Sequence, residues 1–544
     1  MRYLSENKRE DMRMKKRTAA RSMAALMGAA MVLTACGGGN TTAPTTGASS
    51  GGETQTASES AESGKITKTD IVVGQASDIV TLDPAGQQDT TSGVLMKHAY
   101  STLLDVDNEG KVVPDLAESY EMKNDTEYVF KLREDACFWD GTPVTAQDVK
   151  FSLDRAKGMP KTKSNTSKIE EVTVNGDHEV TIKLTEPYAA FKTIVTQHNL
   201  SILSEKAVTE AGDSYGDVDN LLGSGPFKVT EWVPNDHYTL VRNDNYWGEM
   251  PIATSITCRV IPEGSARTIA LEAGEIDVVW SVDPTDCANV ESNPDVKLLS
   301  QPSTGIDYVG MNTQKEKFSD KRVRQAINYA LDKQAFVDTI IEGRGLVANS
   351  YINAAIPGWT DEVEAYPYDP EKAKELLAEA GYPDGFECSI FVNGDLRTRS
   401  AQILQAQLAD VGIKVDISTY EWGALLDTLN AGEHEMFLLG WSNTSFDPDG
   451  STYQLFYSGN HGATGNRAFF SNDKVDELIL SAQRESEESK RMELYKELQF
   501  VLHEESPWCP LYYKENNVGV RADLKGFTLH AGAQHYLGNC HYEE

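Results

Sequence analysis

The stretch YVFKLREDACFWDGTPVTAQDVKFSLDR, residues 128–155, sets the fold class because its periodicity changes partway along. In the first part Phe130 and Leu132 alternate with Lys131 and Arg133, the period of two of a strand with one buried face. In the second, Thr145 and Asp148 form a capping box ahead of Val149, Phe151 and Leu153, which predicts a helix. The same switch recurs along the chain. Val180 to Leu184 alternates as a strand, and Asp369-Pro370 starts a helix that runs through Ala380 and stops at Gly381. A helix through Leu404 to Ala409 ends at Val411-Gly412 and gives way to a strand at Ile413 to Ile417. Two amphipathic helices follow, over about 473–487 and 488–504. Strands alternating with helices in this way predict α/β domains whose sheets are covered on both faces.

Upstream of this body the chain reads differently. Arg13, Lys15, Lys16, Arg17 and Arg21 precede an apolar run from Met23 to Leu33, the charge and hydrophobic pattern of a secretory signal over residues 1–35 and too short to span a bilayer. Leu33-Thr34-Ala35-Cys36 resembles the lipobox of bacterial lipoproteins, which implies that Cys36 is lipidated and anchors the protein to the outer face of the cell membrane or in the periplasm. Residues 36–67 are dominated by Gly, Ser, Thr, Ala and Glu, a composition that makes a flexible leash. The net charge is −33, and residues 1–35 are net positive, so the exported body is more acidic still. Such a surface repels nucleic acid and anionic lipid.

Most signatures of catalysis are missing: there is no H-E-x-x-H, C-x-x-C, P-loop or G-x-G-x-x-G. Asp105 to Gly110 opens like a calcium loop, but its twelfth position is Leu116, so it reads as a turn between strands. His530, His535, Cys540 and His541 are metal-ligand types at spacings that fit no zinc pattern, and they read as a surface strand and tail. No metal or cofactor is expected. Cys137, Cys258, Cys287, Cys388, Cys509 and Cys540 permit disulfides without determining their pairing, and a core of this size requires none.

Taken in order, several segments resemble one family. They include TLDP (81–84), PDLAESYE (114–121), FKLREDACFWDGTPVTAQDVKFSLDR (130–155), GSGPFKVTEW (223–232) and YDPEKAKELLAEAGYPDGF (368–386). Collinear from about Asp70 to Gly526, the chain resembles the extracellular solute-binding proteins of ABC importers that take up oligopeptides, dipeptides and nickel. The resemblance implies a binding protein rather than an enzyme. It also implies a two-lobed, type II periplasmic-binding-protein-like α/β fold with an extra subdomain inserted in lobe I. Carried onto this sequence, lobe I spans 68–305, with the subdomain at about 113–221. Lobe II spans 306–514, and 515–544 returns to lobe I. The hinge falls near Ser303 to Asp307 and Lys514 to Asn517, where closure traps a ligand without a covalent step. The implied partners are a peptide ligand and the permease and ATPase subunits of the importer. A nickel or other metal chelate, or another small solute, is the alternative cargo within the same fold, and a secreted hydrolase is the alternative outside it.

The resemblance also points to the cleft. In peptide-binding relatives a carboxylate three residues after the tryptophan corresponding to Trp441 holds the peptide ammonium; here that position is Thr444. Either Asp447 or Asp449 takes over, or the amine is anchored in another way. Asp447-Pro448-Asp449-Gly450 reads equally well as a turn. Trp441 and Asn443 are expected on the cleft wall, and Gln88, Asp89 and Thr90 line it from lobe I, with Asp89 also suited to cap a helix starting at Thr90 or Thr91. Arg397 at a helix beginning, with Arg467 a further candidate, suits a ligand carboxylate. Arg399 reads better as a surface ion-pair partner.

Overall fold

A computed structural model describes residues 65–544. The signal, Cys36 and nearly all of the leash expected from the sequence lie outside the described residues. The opening stretch folds as its periodicity predicts: a strand over Glu127–Leu132 and a helix over Ala146–Lys157. The Asp148 carboxylate accepts bonds from both the Thr145 N–H (2.9 Å) and the Thr145 hydroxyl (2.8 Å). Arg155, which ends the stretch, forks onto Asp83 of the TLDP segment at 2.6 and 3.0 Å and so ties this helix to the chain leading into the cleft.

The strand Glu127–Leu132 belongs to a four-stranded antiparallel sheet with Ala117–Asn124, Ile169–Gly176 and Glu179–Leu184. One face packs Phe130, Val172, Val180 and Ile182 against helix residues Val149 and Leu153. Its other face carries the exposed, charged Lys131, Glu171 and Lys183. Here the expectation of sheets covered on both faces fails, because an antiparallel meander needs to bury only one face, as its alternation already indicated.

The rest of the body is organised on an eleven-stranded mixed sheet. Two long antiparallel strands, Val296–Met311 and Trp508–Arg521, run between the lobes. At one end they join lobe I, where Val278–Val279 pairs with Trp508–Arg521 and leads to Asp70–Gln75 and Ser255–Val260. At the other, Met436–Ser442 pairs with Val296–Met311 and leads to the parallel strands Phe386–Val392 and Ile413–Thr419 of lobe II. The register of the long pair breaks between Pro302 and Ile306. Proline lacks the N–H needed for the ladder. There the Ser303 hydroxyl donates to the Lys514 carbonyl (2.8 Å), and the Gly305 N–H donates to the Ser303 hydroxyl (3.0 Å).

Each lobe has its own core. Ile71, Val73, Leu95, Phe227, Ile256 and Val518 pack together in lobe I; Met311, Ile327, Ile390, Leu404, Leu438 and Leu511 do so in lobe II. The chain's end returns to the first core through Leu537 and Cys540. It is held there by buried His98, whose Nε2 accepts the Leu537 N–H (3.0 Å) while its Nδ1 bonds the Val94 carbonyl (2.7 Å). Burial pushes the His98 imidazole down to about 4, so it is neutral near pH 7 and Nε2 is free to accept. The GSG of the GSGPF segment has a steric reason: a Cβ on Gly223 would lie 2.1 Å from the Ala99 carbonyl oxygen, and one on Gly225 would lie 2.5 Å from the Ala99 carbonyl carbon. That close approach seats the helix Thr90–Ala99, whose first turn faces the cleft. All six cysteines among the described residues are free thiols.

Candidate functional site

A cavity of about 390 Å³ lies between the lobes, walled by lobe I around Gln88 and Trp280, by lobe II around Arg397 and Trp441, and floored by the long strand at Lys514 to Asn517. The lobes are in contact around it. Arg399 pairs with Asp283 (2.9 Å) and Arg344 with Glu291 (2.7 Å), both joining lobe II to the helix Pro284–Ser292 and its N-cap in lobe I. The Thr444 hydroxyl donates to Gln197 Oε1 across the gap at 2.9 Å. On the subdomain side the Tyr188 hydroxyl donates to the Asp449 carboxylate of lobe II at 2.6 Å.

Seven of the residues singled out from the sequence border the cavity. Gln88, Asp89 and Thr90 do so from lobe I, and Arg397, Trp441, Thr444 and Arg467 from lobe II. Asp89 is the N-cap expected from the sequence: Oδ1 accepts the Ser92 N–H at 2.9 Å, and the helix starts at Thr90. Its second oxygen, Oδ2, is buried without a hydrogen-bond partner, as is Gln88 Oε1. Burial raises the Asp89 carboxyl above its ordinary pKa, against the opposing bonds from Ser92. On the far wall Arg397 Nη1 donates to Asn393 Oδ1 (2.7 Å), its guanidinium lies 5.9 Å from the centre of the Trp422 ring, and its Nε is buried and unbonded. Arg467 is 7% exposed and donates through Nε to Asn430 Oδ1 (3.0 Å); burial lowers its pKa. Both guanidiniums are thus held by amide oxygens rather than by carboxylates, which leaves their charge for another anion.

The remaining candidates turn inward, away from the cavity. Asn443 donates to the Asp447 carbonyl and to Ser451 Oγ, each at 2.7 Å, and so closes the turn. Asp447 is gripped by Arg491 at 2.5 and 2.8 Å, a buried bidentate pair. Asp449, 1% exposed, takes the Tyr188 hydroxyl and Gln483 Nε2 (2.9 Å), and burial, then the neighbouring Asp447, pushes its carboxyl up to about 6. Neither acid reaches the cavity, so the expectation that one of them replaces the missing carboxylate at Thr444 is corrected: both are consumed in building the loop and seating the subdomain. Arg399 is committed to Asp283, as its surface reading predicted.

The sequence did not point to Trp280, Trp422 or Gln534, which line the cavity with buried, unbonded Nε1, Nε1 and Oε1 atoms. Only Trp280 had a local marker: it directly follows GEIDVV (274–279), a further segment of the family resemblance. Trp422 opens a helix at Trp422–Asn430, and Gln534 arrives with the C-terminal return.

Comparison with known proteins places this geometry. The model of the bacterial extracellular solute-binding proteins, family 5, matches residues 111–463. The glutathione-binding protein GsiB of Escherichia coli (strain K12) is 32% identical over 479 residues, covering 85% of this chain and 92% of that protein. Among solved structures, the periplasmic binding protein DppA from Helicobacter pylori in complex with the peptide STSA superposes with a TM-score of 0.84 at 28% identity, covering 88% of this chain and 99% of that one. The oligopeptide-binding protein AppA from Bacillus subtilis, in complex with a nonapeptide, gives 0.81 at 26% identity, with 88% and 100% covered. The chain belongs to family 5 of the bacterial extracellular solute-binding proteins, the capture components of ABC importers, which are binding proteins and not enzymes.

Proposed function

We propose that this protein captures short peptides bearing at least one free carboxylate and delivers them to a membrane permease driven by ATPase subunits. The observation that carries the reading is the pair of guanidiniums, Arg397 and Arg467, which border the cavity and are held by amides alone. A peptide carboxylate supplies the charge-assisted bonds they lack. Exposed peptide groups would meet the orphan indole N–H groups of Trp280 and Trp422, and water would fill the volume left by smaller side chains. The lobes are taken as 68–305 with 515–544, and 306–514, the subdomain as about 113–221, and the hinge as the register break near Ser303 to Asp307 with Lys514 to Asn517 opposite. Lipidation at Cys36 and the leash to residue 67 would hold the receptor at the outer face of the cell membrane, within reach of its permease.

Native mass spectrometry of the purified protein, incubated with glutathione, a tripeptide library or Ni(II)–histidine, tests this reading. A retained peptide mass is the expected result. Retention of the metal chelate alone, or of no added solute, contradicts it.

A further inference from the structure

The amine of a captured peptide needs an anion, and the cavity offers few. Thr444, which stands where peptide-binding relatives carry a carboxylate, is uncharged and its hydroxyl is engaged with Gln197. Asp447 and Asp449 are committed to Arg491 and to Tyr188 with Gln483. Only two acidic side chains line the cavity, Asp89 and Glu515. Glu515 lies beside Arg344, whose guanidinium feels its charge and is also paired with Glu291. Asp89 feels Lys161 and Arg467 only at a distance and has no cation hydrogen-bonded to it: one oxygen caps the helix and the other, Oδ2, is buried with no hydrogen-bond partner.

We infer that Asp89 holds the ligand's ammonium group from lobe I, while Arg397 and Arg467 hold its carboxylate from lobe II, so that the amine site has moved across the cleft from the segment after Trp441. An ammonium carries three donors. Asp89 Oδ2 accepts one, and Gln88 Oε1 and Gln534 Oε1, also buried and unbonded on the lobe I side, are acceptors for the others. The orphan donors on lobe II, Arg397 Nε and Trp422 Nε1, have the opposite polarity. A guest with an amine at one end and an acid at the other therefore fits this cavity in one orientation and bridges the two lobes. Such bridging makes closure depend on both charges, because only the closed state offers both partners to one guest.

The inference rests on the peptide reading, and one experiment separates the two. Glutathione and the tripeptide library are each presented before and after acetylation of their amines, to the wild type and to the D89N and E515Q variants, with affinities read by titration calorimetry on the masses retained. Asparagine is as good an N-cap as aspartate, so D89N keeps the helix start. The expected result is that D89N binds the free-amine peptide at least about 30-fold more weakly, that acetylation costs the wild type a similar factor, and that E515Q changes affinity by less than about threefold. If D89N binds free-amine peptide as the wild type does, if acetylated peptides bind equally well, or if the loss falls on E515Q instead, the Asp89 site is wrong while peptide capture stands. If the wild type binds no peptide from either pool, both fall.

Discussion

Replacing Arg491 with alanine lowers the free energy of unfolding by about 3–5 kcal/mol, the range for removing one partner of a buried ion pair. Arg491 and Asp447 have side chains only 9% and 11% exposed, and they meet through two parallel bonds. Arg491 also donates to the Tyr495 hydroxyl (3.2 Å) and to the Ala482 carbonyl (3.3 Å), so alanine leaves a carboxylate, a hydroxyl and a carbonyl short of a donor. The nearby Asp449 then faces a second acid with no cation between them. Urea unfolding followed by circular dichroism measures the loss. The double variant R491M/D447L is expected to recover most of it, because apolar replacement of a whole buried pair is often neutral or better. Asp447 does not reach the cavity, so peptide affinity per folded molecule should change by less than about threefold in the double variant. A D447N variant of undiminished stability that no longer binds peptide would return Asp447 to the site.

Arg467→Met has the opposite signature. Arg467 is 7% exposed and its one side-chain bond goes to an amide oxygen, with Asp89 acting on it only at a distance, so the free protein bears the desolvation of a cation with no bonded counter-charge. Methionine removes that cost and fills much of the volume. Unfolding free energy should stay level or rise by about 1 kcal/mol. Affinity for a carboxylate-bearing peptide should fall about 30- to 1000-fold, because truncating one side of a buried charge contact costs about 2–4 kcal/mol. Arg397→Ala should weaken the same peptide to a similar degree, and amidating the peptide's carboxyl should reproduce both losses in the wild type. Calorimetry on the variant pair checks this. Equal affinity for acid and amide peptides would remove both arginines from carboxylate recognition.

These contrasts show which parts of the molecule were legible in the sequence. Helix starts were readable because their chemistry is local. Asp89 caps Ser92 three residues on, Asp148 closes on Thr145, and Asp369 accepts the Lys372 N–H at 2.9 Å. The strand from residue 127 was readable because burial alternates along it. The fate of Asp447 and Asp449 was not readable, because it depends on partners distant in sequence: Arg491 is 44 residues away and Tyr188 is 261 residues from Asp449. A turn signature with two acids looks the same whether those acids face a guest or a guanidinium brought by another helix. Trp422 and Gln534 were hidden for the same reason, since only the folded chain brings a lobe II helix and the C-terminal return to one cavity. The substitution at Thr444 was visible, but the unpartnered oxygen of Asp89 across the cleft was not.

The central claim is that two rigid halves close on an intact guest. Small-angle scattering of the full chain, recorded alone and then with whichever peptide the mass spectra retain, tests it most directly when the bound peptide is afterwards released by denaturation and weighed. The account predicts a smaller radius of gyration with peptide present and a recovered peptide of unchanged mass. Superimposable profiles at saturation, or a recovered guest that has been cleaved, would contradict it.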